Sequence, residues 1–172
     1  MVANPDPSLG SRIVIIGNSG SGKSTLAREL GARMGVSAID LDRIHWRGQG
    51  GGGRGEGGGK NMVRAAAGEP RWISEGVYGW LAEVALPRAT SLIWLDLPWS
   101  LCRAGLDARG PWRGATPDEH ATFLRWAEDW RRETSTSFNG HLTLFEGFDG
   151  FKRRLHNRPC GGGGPGLGAV VV

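Results

Sequence analysis

Lysine is scarce in this 172-residue chain. Of its 21 basic residues only Lys23, Lys60 and Lys152 are lysines, so the basicity is almost all arginine. None of the three sits in an Asn/Thr-Lys-x-Asp stretch, the signature of guanine readers, which argues against a signalling GTPase. Arginine suits bidentate phosphate contacts. The arginines are spread along the chain with acids between them, and a net charge of +4 is modest, so a dedicated nucleic-acid binder is not expected. Cysteine is nearly absent. Cys102 and Cys160 are isolated, without the spacing of a metal cluster or a redox pair, and suggest a reducing compartment. No apolar run approaches membrane-spanning length, and Met1 to Ser11 holds no basic cluster followed by an apolar segment. A cytosolic protein without a membrane partner is the expectation. The length suits one α/β domain.

What is present begins at Arg12-Ile13-Val14-Ile15-Ile16, a short aliphatic strand pattern. It runs into Gly17-Asn18-Ser19-Gly20-Ser21-Gly22-Lys23-Ser24, then Thr25 and a helical pattern with Leu26, Leu30 and Met34 on one face. The glycines let backbone N–H groups curl around an anion, and the helix N-terminus adds partial positive charge. Lys23 is placed to reach β and γ phosphates, and the Ser24 hydroxyl to ligate Mg²⁺. The stretch reads as a phosphate-binding loop for a nucleoside triphosphate, with Gly17 through Thr25 as its binding residues.

Further along, Gly35 stops the first helix, and Val36 to Asp42 reads as a second strand ending in acid. Nine of the twelve residues from Gly48 to Gly59 are glycine, a composition that cannot bury apolar surface, so this segment is expected to be flexible and disordered. Met62 to Ala67 follows as a short helix, and Arg71 to Ser74 as a third strand running into Glu75 and Gly76. A short helix then ends near Pro87. Ser91 to Leu95, closed by Asp96, has the continuous apolar character of a strand buried on both faces. A helix from Trp99 to Ala108 leads to a Gly/Pro loop. Thr116-Pro117-Asp118-Glu119 is a capping box with proline at the first helical position. The helix it starts carries Phe123, Trp126, Ala127 and Trp130 at helical spacing, a pattern of core residues rather than base-stacking platforms. His141 to Phe145 and Phe151 to His156 both qualify as a further strand. The tail, 159–172, is glycine-rich and expected to be loose.

Strands alternating with helices argue for a parallel sheet covered on both faces. In such sheets ligands sit at the carboxyl ends of the strands, which singles out Asp40, Asp42, Glu75 and Asp96 beside the loop. Glu75 and Asp96 compete as the acid that holds a metal-bound water. Asp42 is a candidate for contact with the acceptor or a metal, or caps a turn, and His45 reads as a packing or surface residue.

With those positions established, the chain resembles the small adenylate-kinase-like P-loop NTPases labelled topology-modulation proteins. The resemblance rests on Gly17 to Thr25, Leu41 to Trp46, Trp72 to Gly79 and Ile93 to Pro98, and spans residues 11–158. It implies a three-layer, nucleoside-monophosphate-kinase-like domain with a five-stranded parallel sheet in the order 2-3-1-4-5, filling residues 1–158. It favours Glu75, where relatives often have aspartate, as the acid for Mg²⁺, and Phe151 to His156 as the fifth strand. It implies that Arg103, Arg109 and Arg113 border a lid, 110–117, over the phosphates, and that Asn157 and Arg158 lie at the adenine edge. Two features depart from relatives: the acceptor arm after Trp46 runs into glycine, and no C-terminal helix pattern follows the fifth strand. The implied activity is transfer of the γ-phosphoryl of ATP·Mg²⁺ to a nucleotide or other small molecule. The alternative is a switch that binds ATP, hydrolyses it slowly or not at all and acts through a partner, including a DNA-related role.

Overall fold

The computed structural model describes residues 7–49, 56–130 and 136–158. The expectations for 50–55, for the tail 159–172 and for residues 1–6 lie outside the described residues. Strand β1 (Arg12–Gly17) enters helix α1 (Lys23–Met34); β2 (Ala38–Asp40) leads to α2 (Leu41–Gln49) and α3 (Glu56–Ala66). Then come β3 (Trp72–Gly76), α4 (Gly79–Ala85), β4 (Ser91–Leu95), α5 (Trp99–Arg109), α6 (Pro117–Trp130), α7 (Thr136–Gly147) and β5 (Phe151–Leu155).

The five strands form one parallel sheet in the order β2-β3-β1-β4-β5. The central strand β1 is aliphatic on both sides because both sides are covered. Ile13 and Ile15 pack with Leu26 and Leu30 of α1 and with Ile73, Ile93 and Leu95. Val14 and Ile16 pack with Leu81 of α4, Trp94, Trp130 of α6 and Phe138 of α7. These four β1 side chains are fully buried. Each contributes about 1.5–3 kcal/mol of transfer free energy. Register aligns Ile15 with Glu75 on one side and Ile93 on the other, so the strand ends meet at one rim. The chain leaves β1 toward β2 on one side of the sheet and reaches β4 on the other, which opens that rim for a ligand.

Four local expectations are corrected by tertiary context. The second strand is shorter than Val36 to Asp42, because the Asp40 carboxylate accepts the Arg43 N–H (2.8 Å) and so starts α2 at Leu41. Within Gly48 to Gly59, residues 48–49 end α2 and 56–59 open α3. That helix is longer than the Met62 to Ala67 patch. Val63 and Ala67 are buried, the Ala67 carbonyl accepts the Trp72 indole N–H (3.1 Å), and Lys60 lies 5.6 Å from the Trp80 ring. Those anchors offset the cost of its glycines, roughly 1 kcal/mol each relative to alanine. His141 to Phe145 is helical: Phe138, His141 and Phe145 recur at helical spacing against Trp94. The alternation of leucine and threonine there is a coincidence of a short window. Phe151–Leu155 is the fifth strand, an edge strand carrying charges as edge strands do.

The capping box forms, with the Glu119 carboxylate accepting from the Thr116 N–H (2.8 Å) and the Thr116 hydroxyl accepting the Glu119 N–H (3.2 Å). Of the four residues that pattern assigns to the core of α6, Ala127 and Trp130 are buried. Trp126 is 38% exposed and Phe123 half-buried: Phe123 packs edge-on against Trp112 of the loop before α6, and Trp126 stacks on Phe123.

Candidate active site

The loop between β1 and α1 is shaped by close approach. Gly20 has φ +78°, and a Cβ there would run into the Cys102 carbonyl oxygen of α5 and lie 2.8 Å from the Leu106 side chain. Gly22, also left-handed at φ 96°, caps the N-terminus of α1. The first amides of that helix therefore face the same small space that the loop encloses.

Side chains hold the loop from below. Asn18 is fully buried: its amide donates to the Ala127 carbonyl of α6 (2.7 Å), and its side-chain oxygen accepts the Ser19 N–H (2.7 Å). The Lys23 ammonium, 5% exposed, donates to the Asn18 carbonyl (2.9 Å) and so spans the loop. Arg158 donates to the Gly20 carbonyl (3.1 Å) and the Leu101 carbonyl (2.6 Å), tying the end of β5 to the loop. Sequence reasoning put Arg158 at the adenine edge and counted Asn18 only as a loop residue. The partners Ala127 and Gly20 lie more than a hundred residues away in sequence and carry no local signal.

The acids divide. The Ser24 hydroxyl donates to Glu75 Oε1 (2.7 Å), and Glu75 Oε2 is buried without a hydrogen-bond partner. Burial raises the Glu75 carboxyl above its ordinary range, opposed by the Lys23 charge and the Ser24 hydrogen bond, with Asp42 and Asp40 adding repulsion. Asp96 instead accepts two bonds at one oxygen from the Arg154 guanidinium (2.9 and 2.7 Å), and His156 sits 3.5 Å away. Arg154 also covers the Trp94 ring at 4.1 Å. The geometry brings Ser24 to Glu75 and turns Asp96 toward β5.

Asp42 lies in the first turn of α2, where its Oδ1 accepts the Val77 N–H (2.8 Å) just beyond β3. Gly76 makes this possible, since a Cβ would meet Leu41 Cβ at 2.7 Å and Asp42 Oδ1 at 2.8 Å. Burial raises the Asp42 carboxyl too, against the lowering pull of Lys23. Asp42, Glu75 and Lys23 thus form one electrostatically coupled group at the rim. His141 of α7, which pattern did not single out, is fully buried and donates from Nε2 to the Val77 carbonyl (2.8 Å). Burial lowers its pKa to about 3, so it is neutral and holds the turn after Glu75 in place.

The arginines expected around the lid are spread out. Arg103 pairs with Asp107 one helical turn on (2.8 Å), on an exposed face of α5. Arg109 ends α5 with its guanidinium 5.9 Å from the Phe123 ring, and Arg113 is exposed in the loop before α6. Thr25 is exposed in the first turn of α1.

Among solved structures the chain is similar to shikimate kinase from Acinetobacter baumannii in complex with shikimate, at 15% identity over 88% of this chain and 86% of that one, with a TM-score of 0.52. It also matches shikimate kinase from Bacteroides thetaiotaomicron (24% identity, 70% and 78% covered, TM-score 0.46). Deoxyadenosine kinase from M. mycoides with bound dATP matches at 12% identity, 84% and 90% covered, TM-score 0.47. The fold is that of the small P-loop kinases. No protein-family model matches the chain, and no curated protein matches it in sequence. At these identities the likeness concerns the P-loop kinase fold alone. Among the described residues no helix is long and apolar enough to cross a membrane.

Proposed function

We propose that this chain is a kinase of the adenylate-kinase-like P-loop group, kin to the topology-modulation proteins, which transfers the γ-phosphoryl of ATP to a small molecule. The observation that carries the proposal is the Ser24–Glu75 pair next to the loop: a hydroxyl and a buried carboxylate 2.7 Å apart, with a second carboxylate oxygen lacking any partner. A hard cation that keeps several waters takes such a donor set together with phosphate oxygens. Ser24 and Glu75 are the residues that would hold Mg²⁺, which when bound neutralises phosphate charge.

The chain's own contribution is positioning and charge. Loop amides from Gly17 to Ser24 and the α1 N-terminus bind the phosphates, and the Lys23 ammonium exchanges the Asn18 carbonyl for phosphate oxygen. Asp42, with its raised affinity for protons and its place at the same rim, takes the acceptor's proton. Arg109, at the end of α5, and Arg113, within the glycine-containing loop that follows it, close over the phosphates with the lid.

Calorimetry with ATP, with and without Mg²⁺, followed by an ATP-consumption assay over a panel of acceptors, tests this. Lys23→Ala is expected to weaken ATP binding at least about tenfold and to abolish turnover. Unchanged turnover in that variant refutes the mechanism. Tight Mg²⁺-dependent ATP binding without consumption of any acceptor would shift the conclusion to a nucleotide-dependent switch.

A further inference from the structure

Three segments of the chain converge on one oxygen of the phosphate loop, the Gly20 carbonyl. Arg158, three residues beyond β5, donates from Nη2 to that oxygen (3.1 Å) and to the Leu101 carbonyl of α5 (2.6 Å). Gly105, one helical turn after Leu101, makes room for this junction: a Cβ there would run into both Nη2 of Arg158 and the Gly20 oxygen. Glycine inside a helix weakens it, so the close approach accounts for a residue that helix propensity disfavours.

Holding the oxygen sets the other side of the same peptide. A peptide unit is planar and trans, so the Gly20 carbonyl and the Ser21 N–H point in opposite directions. With the carbonyl turned toward α5 and Arg158, the Ser21 N–H turns toward the loop interior, where it donates to the Asn18 carbonyl (3.3 Å). The same Asn18 oxygen accepts from the Lys23 ammonium (2.9 Å), so the amide and the lysine converge on one negative point. Gly20, at φ +78°, is the residue about which this peptide can turn over most readily. Turned over, the peptide would present a carbonyl oxygen to a bound phosphate and withdraw a donor. A guanidinium bonded to the outward oxygen opposes that rotation and polarises the amide, which strengthens the N–H as a donor to an anion.

We infer, resting on the kinase proposal above, that Arg158 is a positioning residue for the triphosphate. It locks the Gly20–Ser21 peptide so that the Ser21 N–H meets phosphate oxygen, and its effect on ATP affinity passes through the phosphates rather than the base.

Calorimetry on the full chain with Mg²⁺ tests this by comparing ATP with tripolyphosphate, which carries the phosphates and no base. In Arg158→Ala both are expected to bind about tenfold more weakly, by the same factor, and the loss should persist as salt is raised from about 0.05 M to about 0.5 M. A bare surface charge would lose its influence over that range, because salt screens it. Gly105→Ala keeps every charge but forces Arg158 and the Gly20 oxygen apart, and is expected to weaken both ligands in the same proportion. Thermal melts establish that each variant is folded. Loss of ATP affinity with tripolyphosphate unaffected, or no tripolyphosphate bound by a wild-type chain that binds ATP, would place the effect at the base and overturn the assignment. Unchanged affinities in either folded variant, or a loss in Arg158→Ala that disappears at high salt, would overturn it as well. Failure of the wild-type chain to bind ATP would instead bring down the kinase proposal on which the assignment rests.

Discussion

Glu75→Gln separates the cost of the acid from its use. The substitution keeps shape and keeps an oxygen to accept the Ser24 hydroxyl at 2.7 Å, but removes the charge from a side chain only 4% exposed. In the free protein, burial and the nearby Asp42 and Asp40 oppose that charge more than Lys23 and Ser24 favour it. Glutamine should therefore stabilise the free protein at neutral pH, by about 1 kcal/mol on the scale of buried-charge effects tempered by the nearby lysine. The sign with pH follows. The folded carboxyl binds its proton more readily than the unfolded one, so its destabilising effect is full above the raised folded pKa. It vanishes as pH falls through the raised folded pKa and below the ordinary 4.5, where both states are protonated. The gain from glutamine should be present at pH 8 and absent near pH 4. With nucleotide and Mg²⁺ the order reverses: a charge-assisted contact to a metal-bound water becomes a neutral one, a loss of about 1–2 kcal/mol, or roughly 5–30-fold in the Mg²⁺-dependent part of ATP affinity. Thermal melts of the free protein at the two pH values and ATP calorimetry with and without Mg²⁺ read both effects. A variant that is less stable at pH 8, or that retains the wild-type Mg²⁺ dependence, would refute the assignment of Glu75.

Two further variants test how the site is held. Asn18→Ala removes the bonds to Ala127 and Ser19 and leaves a buried carbonyl without its donor, so urea titration should show a loss of about 2 kcal/mol and calorimetry a weaker ATP complex. His141 is neutral when folded and titrates near the ordinary 6.5 when unfolded, so the unfolded chain binds the extra proton and stability should fall as pH drops from 6.5 toward about 3. His141→Phe should flatten that slope while costing about 1–3 kcal/mol at neutral pH through the orphaned Val77 carbonyl; an unchanged slope in urea titrations across that range would contradict the burial argument.

Several features were legible before the fold was known because their physics is short-range. The phosphate loop depends on consecutive residues: β-branched strand, glycines, lysine and helix start all lie between Arg12 and Met34. The capping box at Thr116 and Glu119 is likewise local. The ordered α3 start was not legible, because glycines there are held by Val63, Ala67 and Trp72, and composition weighs only the glycines. Trp126 has the same spacing as its buried neighbours on α6, yet faces a cavity that exists only once α4 and α7 are in place.

The amino-acid order by itself determined that an anion-binding turn follows an aliphatic strand, that strands and helices alternate, and that acids close several strands. Contacts among residues a few positions apart specify all of these. Which acid stands at the Ser24 hydroxyl was decided only when β3 paired with β1 and Arg154 of β5 engaged Asp96. Strand neighbours are chosen by burial of whole faces, so residues 51 positions apart meet at 2.7 Å with nothing in either local stretch to announce it.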